Sequence, residues 1–410
     1  MDVLDTGHEV PSYEPRNIND NQAMSADTTE NFKKGEKLLH DELKEPALFR
    51  GVNGDNLGNI REFEVAEIKG WGANIYGTRF AFTAGTDAIH QLPGLLPMAI
   101  NDMLIMRRNG MKCTIGLRGN LFADQTSKES LEFWTDPRLK PTLINIWKTI
   151  AKGLLEYRDV IHGFYLFGEP LYRKGLPDPP PGWYDMAVSI TRAIREIDNE
   201  TWIIFQPGPG GVPWGYKDMK PLPDNKVIYD VHFYTPHKFT HQGVSVSEET
   251  GITEAMKLLN VPYPMPWETT WESQGFEKIG YTIPRKLKDK YDKELQMELL
   301  RPAIEFQQKY KVPMIVLEFS AVRWSPSPDG ATYLQEAIDI FEALGWSWMY
   351  HGWGMRDNHW NLMLAEGTDA FWMRGTPWPT QPVPYETERA KVIKAGLAKN
   401  LNHGFTIDED

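Results

Sequence analysis

The stretch VIHGFYLFGEP, residues 160–170, sets Phe164, Tyr165, Leu166 and Phe167 in one apolar run and closes it on Glu169 and Pro170. A run of this kind suits a strand buried on both faces, as in a parallel sheet. A bare carboxylate at its exit costs free energy unless it is paired or used.

Seven further runs share this character: ALFRGVN (47–53), GANIYGTRFAF (72–82), KCTIGLRG (112–119), TWIIFQPG (201–208), VIYDVHFY (227–234), VPMIVLEFS (312–320) and GWSWMYHGW (345–353). Helical stretches alternate with them. Leu143, Ile146, Trp147, Ile150 and Leu154 make one apolar stripe, and Leu334, Ala337, Ile338 and Phe341 make another. Eight such strands with helices between them predict a single (β/α)8 TIM barrel over 47–410, preceded by an irregular polar arm over 1–46. A doubly wound open sheet is the alternative, but no G-x-G-x-x-G turn follows the first strand, and GPGG at 208–211 is a partial match in the wrong place.

The composition, 41% hydrophobic and 24% charged, is that of an ordinary globular protein. A net charge of −12 argues against a nucleic-acid surface, which needs a basic stripe for phosphate. No apolar run approaches the ~20 residues of a membrane span, and the first residues carry no visible secretory pattern. Cys113 is the sole cysteine, so neither an internal disulfide nor a cysteine-based metal site can form.

In a barrel the polar residues at strand exits line the active face. Strand four exits on Glu169, strand six on His232 and Tyr234, and strand seven on Glu318. One such glutamate would more often pair with an arginine such as Arg118 or Arg323. Two, with a histidine and a tyrosine at i, i+2 spacing on one face of strand six, point to paired-carboxylate chemistry instead. The segment from Thr235 to about Pro284, containing VPYPMPWETTWESQGF, reads as a long functional loop on the same face. Loop tryptophans Trp183, Trp214, Trp267, Trp271, Trp324 and Trp360 suit stacking on sugar rings, although about half should be core. HKFTH (237–241), with His232 upstream, offers i, i+4 histidines without the glutamate of a zinc motif, so no metal is expected.

RGVN (50–53), GFYLFGEP (163–170), VHFYTPHKFTHQG (231–243), VPMIVLEFSAVRW (312–324) and GWSWMYH (345–351) resemble glycoside hydrolase family 5, over roughly residues 47–360. The resemblance implies a retaining β-glycosidase, endo-acting on a β-1,4-linked mannan, glucan or similar chain, with Glu169 as acid/base and Glu318 as nucleophile. His232 would tune the acid and Tyr234 would bond the nucleophile. Arg118, Asn74, Asn120, Trp348, Trp353, His351 and Trp324 are the expected sugar-binding residues; strand alternation lets only one of Trp348 and Trp353 face inward. The resemblance further implies a secreted monomer that needs no cofactor.

Three departures stand out. Gly168 occupies the position where the family places an asparagine on the sugar 2-hydroxyl, Arg118 stands where a histidine is common, and Arg79 comes late in strand two. Asn74, Asn120 or Arg118 are the residues expected to fill the gap at Gly168. A weakened carbohydrate-binding protein on the same fold is the alternative reading, and a metal-dependent barrel hydrolase a further one.

Overall fold

The computed structural model describes residues 48–125, 127–244, 257–353, 359–364 and 386–403. The expected arm over 1–46, and most of the irregular stretch before the last helix, lie outside the described residues. Eight parallel strands close into a barrel: β1 (Arg50–Asn56), β2 (Ile75–Phe82), β3 (Lys112–Gly119), β4 (Ile161–Tyr165), β5 (Trp202–Phe205), β6 (Val227–Phe233), β7 (Met314–Phe319) and β8 (Ser347–His351). Closure comes from β1 against β8, with Arg50 opposite Trp348 and Asn53 opposite His351. All eight runs read from sequence are present.

Alternation sorts each strand's residues between two cores. Phe49, Ile75, Ile204, Ile228, Ile315, Leu317 and Met349 fill the barrel interior, while Tyr229, Val231 and Phe233 of β6 pack outward in the core that takes in the helices. The stripe on Leu139–Gly153 is buried as its spacing predicts. Its Trp147 also donates its indole N–H to the carbonyl of Leu166 at 3.0 Å, tying the helix to the exit of β4. Truncating Trp147 to alanine would cost about 3–5 kcal/mol. The stripe on Asp329–Leu344 is likewise buried, and that helix ends at Gly345, whose φ of +67° is the left-handed cap that glycine adopts without strain.

The segment between β6 and β7 is more ordered than a loop. Beyond residues 245–256, which lie outside the described set, two short strands pair antiparallel (Met265–Pro266 with Lys290–Tyr291). Helices Trp271–Lys278 and Lys293–Leu299 pack with them around a small core of their own that includes Phe276, Tyr291 and Leu295. Thr270 and Ser273 form a capping box that starts the first of these helices. Apolar residues spaced across Pro-rich sequence are what build this core, so a loop reading from composition alone misses it. Among the described residues, no helix is long and apolar enough to cross a membrane.

Candidate active site

Strand β6 sends Ile228, Asp230 and His232 inward in strict alternation, and Tyr234 follows just past its end. Strand β7 does not alternate strictly. Asp230 lies opposite Ile315 but His232 lies opposite Glu318, so β7 carries one extra residue between these pairs. This bulge turns Glu318 into the cavity directly after Leu317, which also faces it. The Leu317 N–H donates to Oδ1 of the fully buried Asp230 at 2.9 Å.

Glu169 is held by backbone geometry as well. Its φ of +50° is left-handed, an uncommon and strained state for a residue with a side chain. Its N–H donates to Gln206 Oε1 at 2.5 Å, and Gln206 Nε2 donates in turn to Asp230 Oδ2 at 2.6 Å. Asp230 therefore braces both acidic strand exits, one through the bulge and the other through Gln206.

His232 stands between the two acids. Its Nδ1 lies 3.1 Å from Glu169 Oε1 and 3.8 Å from Glu318 Oε2, and its Nε2 lies 3.3 Å from Asp230 Oδ2 and 3.3 Å from the Tyr165 hydroxyl. One oxygen of each glutamate and a ring nitrogen of His232 all fall within 4.8 Å of one another. Tyr234 donates its hydroxyl to Glu318 Oε2 at 3.1 Å, and Asn53 Nδ2 donates to Oε1 at 3.1 Å. Arg79 Nη1 is 4.0 Å from that same Oε1 and donates to Asn53 Oδ1 at 3.2 Å.

Charge sharing in this cluster is uneven. Burial opposes a proton on His232, but the carboxylates of Glu318 and Asp230 and the bonds to Asp230 and Glu169 outweigh it and lift the imidazole well above its ordinary range. Burial also opposes charge on Glu169, yet the His232 hydrogen bond and charge, with Lys128 beyond, hold its carboxyl at about 2. Glu318 is likewise held low against burial, by His351, His232 and Arg79. The free site thus stores its proton on the His232–Glu169 pair, with Glu318 ionised.

The cleft over these groups has a volume of about 1000 Å3. Glu169, Glu318, His232, Arg118, Asn120, His351 and Trp353 all line it. Three expected sugar-binding residues do not, and the structure corrects them. Asn74 precedes β2, at the opposite end of the barrel from the glutamates, where its Oδ1 accepts from the Arg50 N–H at 2.8 Å. Trp348 points outward against Gly396 of the last helix and gives its indole N–H to Glu342. Trp324 is buried and donates its indole N–H to the Gln242 carbonyl at 2.6 Å. Of the remaining loop tryptophans, Trp183 is also buried, while Trp360 lines the cleft.

Asn53, Arg79, Tyr165, Gln206 and Asp230 belong to the site although the strand-exit reading passed over them. Arg79 was legible: Ile75, Gly77 and Arg79 share one face of β2, and Ile75 is interior. The histidines of HKFTH do not converge with His232. His237 and His241 stack face to face at 3.9 Å, and among the described residues the grouping with metal-ligand spacing is Glu169, His232 and Glu318.

Comparison with known proteins agrees with this arrangement. The sequence profile of the Cellulase family, glycosyl hydrolase family 5, matches residues 108–357. Endoglucanase C of Acetivibrio thermocellus is 29% identical over 210 residues, which cover 50% of this chain and 57% of the relative. Endoglucanase 3 of Fibrobacter succinogenes is 28% identical over 247 residues, 57% of this chain and 36% of the relative. The chain thus spans little more than half the length of these relatives, or less. In fold it is similar to a hyperthermophilic endo-β-1,4-glucanase solved with substrate (TM-score 0.57, 16% identity, 88% of this chain and 99% of that one). Thermotoga maritima Cel5A solved with mannotriose gives a TM-score of 0.54 at 17% identity, over 89% of this chain and 99% of that one. With the profile covering more than half of its residues, the chain belongs to glycosyl hydrolase family 5.

Proposed function

We propose that the protein hydrolyses internal bonds of a β-1,4-glucan with net retention, Glu318 acting as nucleophile and Glu169 as acid/base. The observation that carries this reading is the placement of one oxygen from each carboxylate within 4.8 Å. A spacing of about 5 Å suits direct attack, whereas inverting enzymes need about 6.5–9.5 Å to fit a water.

In the first step a Glu318 oxygen bonds to the anomeric carbon as the bond to the leaving oxygen breaks. Consuming the Glu318 charge removes the largest attraction holding a proton on His232. The proton passes through the 3.1 Å contact to Glu169 and on to the leaving oxygen. In the second step Glu169 takes a proton from water, whose oxygen attacks the same carbon and frees Glu318. Asn53, Tyr234 and Arg79 keep Glu318 ionised and aimed between turnovers.

Gly168 leaves open the place the family gives to asparagine. A side chain there would meet the Tyr165 ring at 3.4 Å and its hydroxyl at 3.5 Å. The Tyr165 hydroxyl is our choice for the donor to the sugar 2-hydroxyl. The names of the relatives favour glucan over mannan as substrate. Because a polymer does not cross a membrane, the protein is read as acting outside the cell, as a monomeric barrel behind an N-terminal arm.

Purified wild type, Glu169→Gln and Glu318→Gln tested on soluble β-glucan, mannan and xylan decide the matter. The reading requires that wild type shorten β-glucan chains and that both variants lose nearly all turnover while still binding the polymer. A wild type that binds glucan without cleaving it contradicts it.

A further inference from the structure

The main cleft differs in charge from the chain that builds it. Over its whole length the chain carries 56 acidic and 44 basic residues, yet among the described residues the acids lining the cleft are Glu169 and Glu318 alone, against the cations Arg79, Arg118 and Lys128. Both acids are already countered. Glu169 faces His232 at 3.1 Å, and Glu318 takes hydrogen bonds from Tyr234 and Asn53 with Arg79 at 4.0 Å. Arg118 and Lys128 remain as positive charge that the proposed reaction does not use.

These two stand on one wall. It is formed by the exit of β3 and the loop that follows, and it presents Arg118, Asn120, Gln125, Ser127 and Lys128 to the cleft. Thr114, Gly116 and Arg118 alternate onto the inner face of β3, and Arg118, the last of them, is exposed. Lys128 is half-buried; its ammonium donates to the Gly168 carbonyl at 3.2 Å and lies 5.9 Å from the centre of the Phe167 ring, which anchors it beside the cleft. One of its three protons is used there, and among the described residues no carboxylate forms an ion pair with it. The adjacent Glu129 is taken by Arg173 at 2.6 Å.

A partly sheltered ammonium with protons to give and a planar guanidinium on the same wall suit a carboxylate. A cleft lined by one sign of charge also concentrates substrate of the other sign. The position favours an anion for a further reason. Strand β3 lies four strands from β7 in either direction round the barrel, so a carboxylate held on it stays as far from Glu318 as the barrel allows. A uronate carries its carboxylate on the ring itself, where glucose has a hydroxymethyl group, and so enters the same cleft without added bulk.

We infer that the protein prefers β-1,4-glucan chains bearing glucuronate rings over neutral ones, the carboxylate seated on the wall of Arg118 and Lys128. The inference rests on this cleft being where β-glucan is cleaved.

The probes are a hydroxyethyl cellulose partly oxidised at C6 and the same polymer with its carboxylates capped as methyl amides, which differ in charge on one backbone. For wild type, Lys128→Gln, Arg118→Gln and the double variant, kcat/KM is measured on each from the new reducing ends. Lys128→Arg keeps the charge, and Lys174→Gln removes an exposed cation that does not line the cleft. Wild type should cleave the acidic polymer about tenfold better, each single glutamine variant should cut that ratio about threefold, and the double variant should bring it near one. Lys128→Arg and Lys174→Gln should keep the wild-type ratio, and high salt should shrink it. A wild-type ratio at or below one, or a ratio unmoved in the double variant, overturns the inference. If wild type cleaves neither polymer, plain β-glucan decides the proposed function, and calorimetry with both polymers decides the wall separately. Tighter binding of the acidic polymer that is lost in the double variant then supports it, and equal Kd values refute it.

Discussion

The Tyr234 hydroxyl donates to Oε2 of Glu318 across 3.1 Å, while Asn53 holds Oε1 at the same distance, so the acid on β7 is gripped at both oxygens. A hydrogen bond to a charged group is worth about 1.5–3 kcal/mol, equivalent to roughly tenfold to a hundredfold in rate if realised in the transition state. Tyr234→Phe is expected to lower kcat/KM on β-glucan by that factor with little change in thermal midpoint. Steady-state kinetics beside a melting curve check it.

His232 sets where the proton rests. Its pKa stands well above 6.5 in the folded protein, so the wild-type acid stays loaded above pH 6.5. In His232→Asn the proton must sit on Glu169 alone, freed from the partner that holds it at about 2 and pushed up by burial. The basic limb of kcat/KM against pH should therefore fall from above pH 6.5 to the carboxylate range. Stability follows with a definite sign: a raised folded pKa contributes in full below pH 6.5 and is lost as pH climbs through the folded value. The melting gap between wild type and variant should accordingly narrow above pH 6.5. A basic limb that does not move would remove His232 from the proton path.

Asp230 is fully buried, accepts the bulge amide of Leu317 and the Gln206 side chain, and faces His232. Asp230→Ala strands all three, and removing one partner of a buried charged pair costs about 3–5 kcal/mol. Asp230→Asn retains an acceptor for Leu317 and should lose less. Urea unfolding of the two variants measures the difference.

Tyr165 and Gly168 should behave as a coupled pair. Gly168→Asn sets a Cβ in ordinary contact with the Tyr165 ring, leaving its amide to compete for the Tyr165 hydroxyl, and should lower kcat/KM, as should Tyr165→Phe, each by about tenfold if one hydrogen bond in the transition state is lost. In the double variant the amide takes over and activity should recover to within a few-fold of wild type. Additive losses in this cycle would show that the two do not share one contact.

The eight strands were legible because each is a short, doubly buried run, and the two glutamates because they end such runs. What lay beyond reach depended on register. The bulge that aims Glu318 has no signature in MIVLEFS, and Asp230 reads as an ordinary strand residue until Leu317 and Gln206 are seen to converge on it. Asn74 and Trp348 failed for reasons the sequence did contain: one precedes its strand, the far end of a parallel barrel, and the other alternates out of phase with the inward Met349. Trp214 and Trp271 come together only through the packing of the β6–β7 insertion, whose local pattern reads as loop.

The account stands or falls on direct attack by Glu318, and the anomer released first reports it. Proton NMR of β-glucan oligosaccharide hydrolysis, followed from the first minutes before mutarotation, should show the β-anomer of the new reducing end appearing first. The α-anomer appearing first would contradict the account, because it would mean that water, not Glu318, attacks the anomeric carbon.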